Sequence, residues 1–183
     1  MQSLPFGLHA LSAYRQFVVY KLVPSATRVG KTDKLPVDWR TGALPAAGAG
    51  GAAIYTDVHT AIEYAAKYGE DYGVGFFFTI NDPFIFLDID NCLQSDGQWS
   101  ELARQLIAAT PNAYVEVSQS GRGLHIIANA ALPPHSCKNT AYGLELYDRD
   151  RFVALTGTYA TGDASTNLTY MVQWLVDTYF PPA

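Results

Sequence analysis

The stretch Phe84-Ile85-Phe86-Leu87-Asp88-Ile89-Asp90-Asn91 decides how the rest of the chain is read. Four bulky apolar residues run straight into Asp-Ile-Asp. Branched and aromatic side chains fit a pleated surface, so the stretch reads as a strand. Side chains alternate along a strand, which puts Asp88 and Asp90 on one face, roughly 6–7 Å apart. Two carboxylates so placed repel each other unless a cation lies between them, and a hard divalent ion such as magnesium takes such oxygen ligands. The plainer alternative is a strand end with two solvated acids.

Outward from this strand, residues 73–80 (GVGFFFTI) read as another strand, and the intervening Asn81-Asp82-Pro83 turn predicts a hairpin between the two. Downstream, Trp99, Leu102, Ala103, Leu106 and Ile107 mark an amphipathic helix that stops before Pro111. Residues 113–117 (AYVEV) and 124–128 (LHIIA) flank a Ser-Gly turn and predict a second hairpin. Residues 130–142 read as a Pro-containing connection with one helical turn. Residues 144–148 and 151–156 read as strands around a charged turn, and Leu168, Met171, Val172, Leu175 and Val176 as a closing helix. Upstream come a short helix over 8–14, a strand over 16–22 and a polar, basic loop over 24–39. A small, glycine-rich surface loop follows over 42–52, without the spacing of a P-loop. Thr56 or Asp57 caps a helix running to Lys67, with Val58, Ile62 and Ala65 as its buried stripe. Seven strands and four helices, mixing hairpins with helical crossovers, predict an α+β fold with mixed sheets.

The 183 residues are 49% hydrophobic and 16% charged, enough for one sizeable core or two small lobes. Cys92 and Cys137 lack CxxC spacing, so no structural zinc is expected; free thiols in a reducing cytoplasm fit best. No basic segment followed by an apolar core opens the chain, and no apolar run is long enough to cross a membrane. The net charge of −5 argues against an indiscriminate nucleic-acid binder. Residues 1–40, however, hold six basic side chains against two acidic ones, a candidate wall for a local basic groove.

Three constellations carry chemistry. A third carboxylate beside Asp88 and Asp90 completes a two-metal site, whose ions lie about 3.5–4 Å apart and clamp attacking and leaving oxygens. Glu145 is the choice, since Leu144 and Leu146 make it face away from the core; Asp148, at the turn, competes with it. In Ser118-Gln119-Ser120-Gly121-Arg122-Gly123-Leu124-His125, two glycines let backbone amides approach a ligand closely. Gly123 and its neighbours form a nest that, with Ser120, Arg122 and His125, suits a triphosphate. Arg151 is a better phosphate ligand than Arg149, which reads as part of a charged turn. Lys34 is a loop lysine before a proline-stiffened step, and His9, His59 and His135 gain no role from spacing.

These motifs, in this order, resemble the archaeo-eukaryotic primase (AEP) superfamily, specifically the N-terminal primase–polymerase (PrimPol) domain of phage and plasmid replication proteins. The likeness rests on the strand ending in Asp88-Ile89-Asp90, and on Ser120-Gly121-Arg122-Gly123-Leu124-His125, similar to the family's Ser-Gly-x-Gly-x-His. It rests also on Leu144-Glu145-Leu146-Tyr147 followed by Arg151-Phe152, and on Lys34-Leu35-Pro36 ahead of Trp39, and it spans roughly residues 16–160. The resemblance implies two packed modules with the catalytic cleft between them, the second RRM-like. It implies a polymerase or primase of DNA replication that joins nucleotides by a two-metal mechanism. Asp88, Asp90 and Glu145 then hold two magnesium or manganese ions. Ser120, Arg122, His125 and Arg151 contact a nucleoside triphosphate, and Lys34 contacts nucleotide or template. The expected partners are single-stranded or primed DNA and a helicase domain later in a longer chain, in the cytoplasm of a bacterial host. On this reading residues 1–183 are one catalytic domain.

Two other classes compete. A haloacid-dehalogenase-like phosphatase also runs an apolar strand into Asp-x-Asp, the first Asp a nucleophile and the second a general acid. It expects that strand early and a late acid pair, but here the strand is mid-chain and Gly162-Asp163 lacks its second acid. A non-catalytic replication-initiator domain would bind nucleic acid without turnover; the presence of all three acids argues against it.

Overall fold

The computed structural model describes residues 1–45 and 51–182. Its strands are β1 (Phe17–Pro24), β2 (Thr32–Val37), β3 (Tyr72–Phe78), β4 (Phe84–Ile89), β5 (Tyr114–Val117), β6 (Leu124–Asn129), β7 (Lys138–Asn139), β8 (Leu144–Tyr147) and β9 (Arg151–Ala154). Its α-helices are α1 (Val58–Tyr68), α2 (Glu101–Ala109) and α3 (Thr169–Tyr179). The first expected helix is a 3-10 helix, Phe6–Ala13. Of the expected loop over 42–52, residues 46–50 lie outside the described residues, and Gly51–Ile54 is a short 3-10 turn.

The chain divides into two compact units. One comprises residues 1–4, 12–77 and 152–156 and carries the sheet β2-β1-β3-β9. Here β1 runs antiparallel to β2 and to β3, with Val19 opposite both Val37 and Val74. Phe17 and Phe76 meet edge to face, their centroids 5.1 Å apart, and both are fully buried. Asp57 caps α1 by accepting from the Thr60 N–H at 2.9 Å, which satisfies one of the amides left over in the first turn. The buried stripe of α1 is Val58, Ala61 and Ala65, with Ile62 only half-buried.

Strand β2 lies where a surface loop was expected. Its Pro36 has no N–H to give to a ladder, a pattern that argues against a central strand. The strand is at the sheet edge, hydrogen-bonded to β1 alone, and that position tolerates proline.

The other unit comprises residues 5–11, 78–151 and 157–183 and carries the sheet β5-β6-β4-β8-β7. Every neighbouring pair in it is antiparallel, which corrects the expectation of mixed sheets. The reason is local. Helix α2 does connect two strands of like direction, β4 and β5, but the β5–β6 hairpin inserts β6 between them. The Asp-Ile-Asp strand β4 is central, flanked by β6 and β8.

Alternate residues of this sheet (Ile85, Leu87, Ile89, Leu124, Ile126, Leu144, Leu146) share one apolar cluster with Ala103 and Leu106 of α2 and Val172, Leu175 and Val176 of α3. Both helices therefore cover the same face, and the other face carries a mixed set of polar side chains and the buried Phe84, Phe86 and Ile127.

The expected hairpin between β3 and β4 does not form, because the two strands belong to different sheets. The Asp82 carboxylate accepts from the Thr79 N–H at 2.7 Å and the Phe84 N–H at 3.1 Å, so the turn satisfies its own amides. Likewise β8 and β9 fall in different sheets. The helical turn expected within 130–142 is replaced by the two-residue edge strand β7.

Candidate active site

Strand register assembles the site. Glu116 on β5 is opposite His125 on β6, His125 is opposite Asp88 on β4, Asp88 is opposite Glu145 on β8, and Glu145 is opposite Lys138 on β7. Directly opposed residues project to the same face of a sheet, so five polar side chains stand in one row across five strands. Their neighbours along each strand, Leu87, Ile89, Leu124, Ile126, Leu144 and Leu146, point into the apolar cluster beneath α2 and α3. The same face carries a second row, Tyr114, Ile127, Phe86 and Tyr147, one step along the strands.

At one end of the row, the Nδ1 of His125 lies 2.9 Å from Glu116 Oε1. Glu116 Oε2 accepts from the Tyr114 hydroxyl at 2.7 Å and from the Gly157 N–H at 2.8 Å. Burial pushes the Glu116 carboxyl up, but the His125 ring, the Gly157 amide and the Tyr114 hydroxyl outweigh it and hold it below the ordinary carboxylate value. The Tyr114 hydroxyl is itself pushed far up, by burial and by the adjacent Glu116. His125 Nε2 lies 4.0 Å from Asp88 Oδ1.

At the other end, the carboxylate of Glu145 is shared. Lys138 Nζ is 3.0 Å from Oε1, and Oε2 accepts from the Tyr147 hydroxyl at 3.0 Å and from the Arg151 guanidinium. Burial acts upward on Glu145, but Lys138, Arg151 and Tyr147 hold it below its ordinary value. The Arg151 guanidinium also lies over the Tyr147 ring, 4.5 Å from its centroid. Its Nε is buried without a hydrogen-bond acceptor.

The expected acids are thus placed as follows. Asp88 is in the row, and Asp90 lies one residue beyond the end of β4, exposed, with its N–H donating to Gly143 O at 2.8 Å. Glu145 stands opposite Asp88, whereas Asp148 is forked by its neighbour Arg149 at 2.9 and 2.7 Å, which holds its carboxyl below the ordinary range. The donor set Asp88, Asp90 and Glu145 is of the hard-oxygen type that suits magnesium or manganese. Among the described residues, however, no three acidic, histidine or cysteine side chains converge as a metal cage, and Glu145 is turned to cations instead.

The glycine turn differs from its expected role. Its amides are used within the turn: the Gly121 N–H donates to Ser118 O, the Arg122 N–H to the Ser120 hydroxyl, and the Gly123 N–H to the Ser118 hydroxyl. A nest of amides for a triphosphate is therefore not what the turn presents. What Gly123 provides is closeness, since a Cβ there would lie 2.8 Å from Ile89 O and 3.6 Å from the Asp90 Cα. The turn is thereby seated against the end of β4. Arg122 is exposed at its tip, Ser120 is exposed beside it, and Lys34 is half-buried on β2, opposite Leu22. His135 packs by its ring nitrogens against Pro133 O and Leu146 O.

Sequence reasoning missed Glu116 and Lys138. Glu116 left a signal, an acid inside the apolar run AYVEV, two residues from a tyrosine and so on the tyrosine's face. Lys138 left none, because its strand is two residues long and fully determined by β8.

No protein-family profile matches the chain. A search of curated proteins finds a DNA primase-polymerase of Nitratiruptor phage NrS-1, 31% identical over 156 residues. The similarity covers 82% of this chain and 20% of the phage protein, so the chain spans about a fifth of the relative it matches.

Proposed function

We propose, from the premise that this chain is a primase–polymerase domain of the archaeo-eukaryotic type, that it performs template-dependent nucleotidyl transfer in phage or plasmid DNA replication. The observation that carries the reading is the polar row His125, Asp88 and Glu145 on three neighbouring strands of the sheet. The strand order β8-β4-β6-β5, with α2 connecting β4 to β5, supports the RRM-like character of this unit.

Nucleotidyl transfer aligns a primer 3′-oxygen with the α-phosphate of an incoming triphosphate. Two divalent ions, when bound, supply charge to the attacking and leaving oxygens. Asp88 and Asp90 are the residues to hold them, with Glu145 as the third carboxylate. For Glu145 to serve so, Lys138 and Arg151 must release it, and both are cations suited to phosphate oxygens. The Nε of Arg151 supports this, because a buried donor without an acceptor costs about 1–3 kcal/mol that a phosphate oxygen would relieve. His125 presents Nε2 to the same place, with Ser120 and Arg122 on the adjoining turn. Lys34 is assigned to nucleotide or template, and a helicase partner in a longer chain belongs to the same proposal.

The test is extension of primed and unprimed single-stranded templates with magnesium or manganese, using ribo- and deoxynucleotides in parallel. Asp88→Ala, Asp90→Ala and Glu145→Ala should each abolish extension while the circular-dichroism spectrum stays native. Robust extension by the Asp88→Ala/Asp90→Ala double variant would overturn the reading.

A further inference from the structure

We infer that Glu116 is the positioning residue for His125: it sets the ring plane and selects Nε2 as the nitrogen presented to the incoming nucleotide. The inference rests on the function proposed above only for the identity of the ligand.

The geometry is over-determined. The Glu116 side chain is 0% exposed and that of His125 4%. Two donors on Oε2, the Tyr114 hydroxyl and the Gly157 N–H, hold the carboxylate in one rotamer and turn Oε1 to the ring. An ionised carboxylate only accepts, so the nitrogen 2.9 Å from it, Nδ1, carries a hydrogen. The Phe86 ring packs edge to face against the imidazole, with centroids 5.1 Å apart. Only Nε2 remains for a ligand, and it points along the row to Asp88. A buried carboxylate is costly unless it is paired and hydrogen-bonded, and the Tyr114 hydroxyl, the Gly157 N–H and the His125 ring together meet that need, so the three groups hold one another in place. Without Glu116 the ring would lose both its tilt and its hydrogen-bonded nitrogen, and Nε2 would no longer be held in one place.

The test has two arms. In the first, ring 15N–1H correlation spectra of the full chain identify His125 by its loss in His125→Asn. The wild-type ring should show a protonated, hydrogen-bonded Nδ1, and Glu116→Gln should move that signature. In the second, titration calorimetry measures binding of the non-hydrolysable α,β-imido-dATP with magnesium. Glu116→Gln and His125→Asn should each weaken binding about tenfold, and the double variant should weaken it no further, since coupled residues are non-additive. Should Glu116→Gln fail to fold, Tyr114→Phe removes one donor from Oε2 and should move the ring signature and weaken binding two- to threefold. An unmoved ring signature, or losses that multiply in the double variant, would overturn the inference. If the wild type binds no nucleotide, the proposed function falls, and the spectral arm still decides whether Glu116 holds the ring.

Discussion

Gly123 is the residue on which the meeting of the Ser-Gly turn and the Asp-Ile-Asp strand depends. A methyl group there would come 2.8 Å from Ile89 O, closer than side-chain carbons approach a backbone oxygen. Either the turn or the strand end must shift, and Asp90 is the next residue along. Gly123→Ala should therefore lower stability by about 1–3 kcal/mol in urea unfolding, as overpacking does, and reduce extension well beyond what that loss explains. Unchanged extension would show that the end of β4 tolerates displacement. At this scale the sequence was partly legible. Asp88 and Glu145 stood out because an acid between apolar neighbours on a strand has a defined face. The same logic applies to Glu116 on its four-residue strand, Tyr114–Val117, but the strand alone does not show that it stands opposite His125. The internal use of the turn's amides was not legible, since Gly-x-Gly specifies a bend and not which acceptors the amides find.

Among the elements, α1 offers a test independent of the row. Its Asp57 cap carboxyl is held below the ordinary value, chiefly by the Thr60 N–H against a smaller upward pull from burial. A depressed folded-state value means that this contribution is present above the unfolded value, about 4, and fades as pH falls through the folded one. Asp57→Ala should cost about 1 kcal/mol at pH 7, or about 2–4 °C in Tm for a chain of this size. The difference from wild type should shrink below pH 4 in thermal melts; a gap that stays constant to pH 2 would mean the cap works without its charge. The cap and helix could be read from sequence because both are local, as is the β5–β6 hairpin with its six-residue turn. The partners of β3 and β9 could not, because pairing is decided by residues far apart in the chain, and a polar turn such as Asn81-Asp82-Pro83 serves equally between strands of different sheets.

For the whole molecule, charge is divided between the two units. Residues 1–4, 12–77 and 152–156 hold seven basic and six acidic side chains, whereas the unit carrying the row holds five basic and eleven acidic. A surface so balanced makes few phosphate contacts per site. Binding of single-stranded DNA, followed by fluorescence anisotropy, should be weak, roughly micromolar or weaker, and should fall only gently with added salt, because few counterions are released. Nanomolar, salt-insensitive binding of duplex DNA would contradict it. No described helix is long and apolar enough to cross a membrane.

The row across the five-stranded sheet also acts during folding. Because strand side chains alternate, sliding β4 by a single residue against β6 and β8 would exchange its two faces. Asp88 would enter the apolar layer beneath α2 and α3, and Leu87 would surface among His125 and Glu145. Burying an uncompensated carboxylate costs several kcal/mol, so a slip of β4 by one residue is penalised by the same acids that the site requires. The polar side chains thus keep the central strand in register as well as providing the proposed chemistry. Replacing them with apolar residues for stability would remove the sheet's safeguard against mispairing.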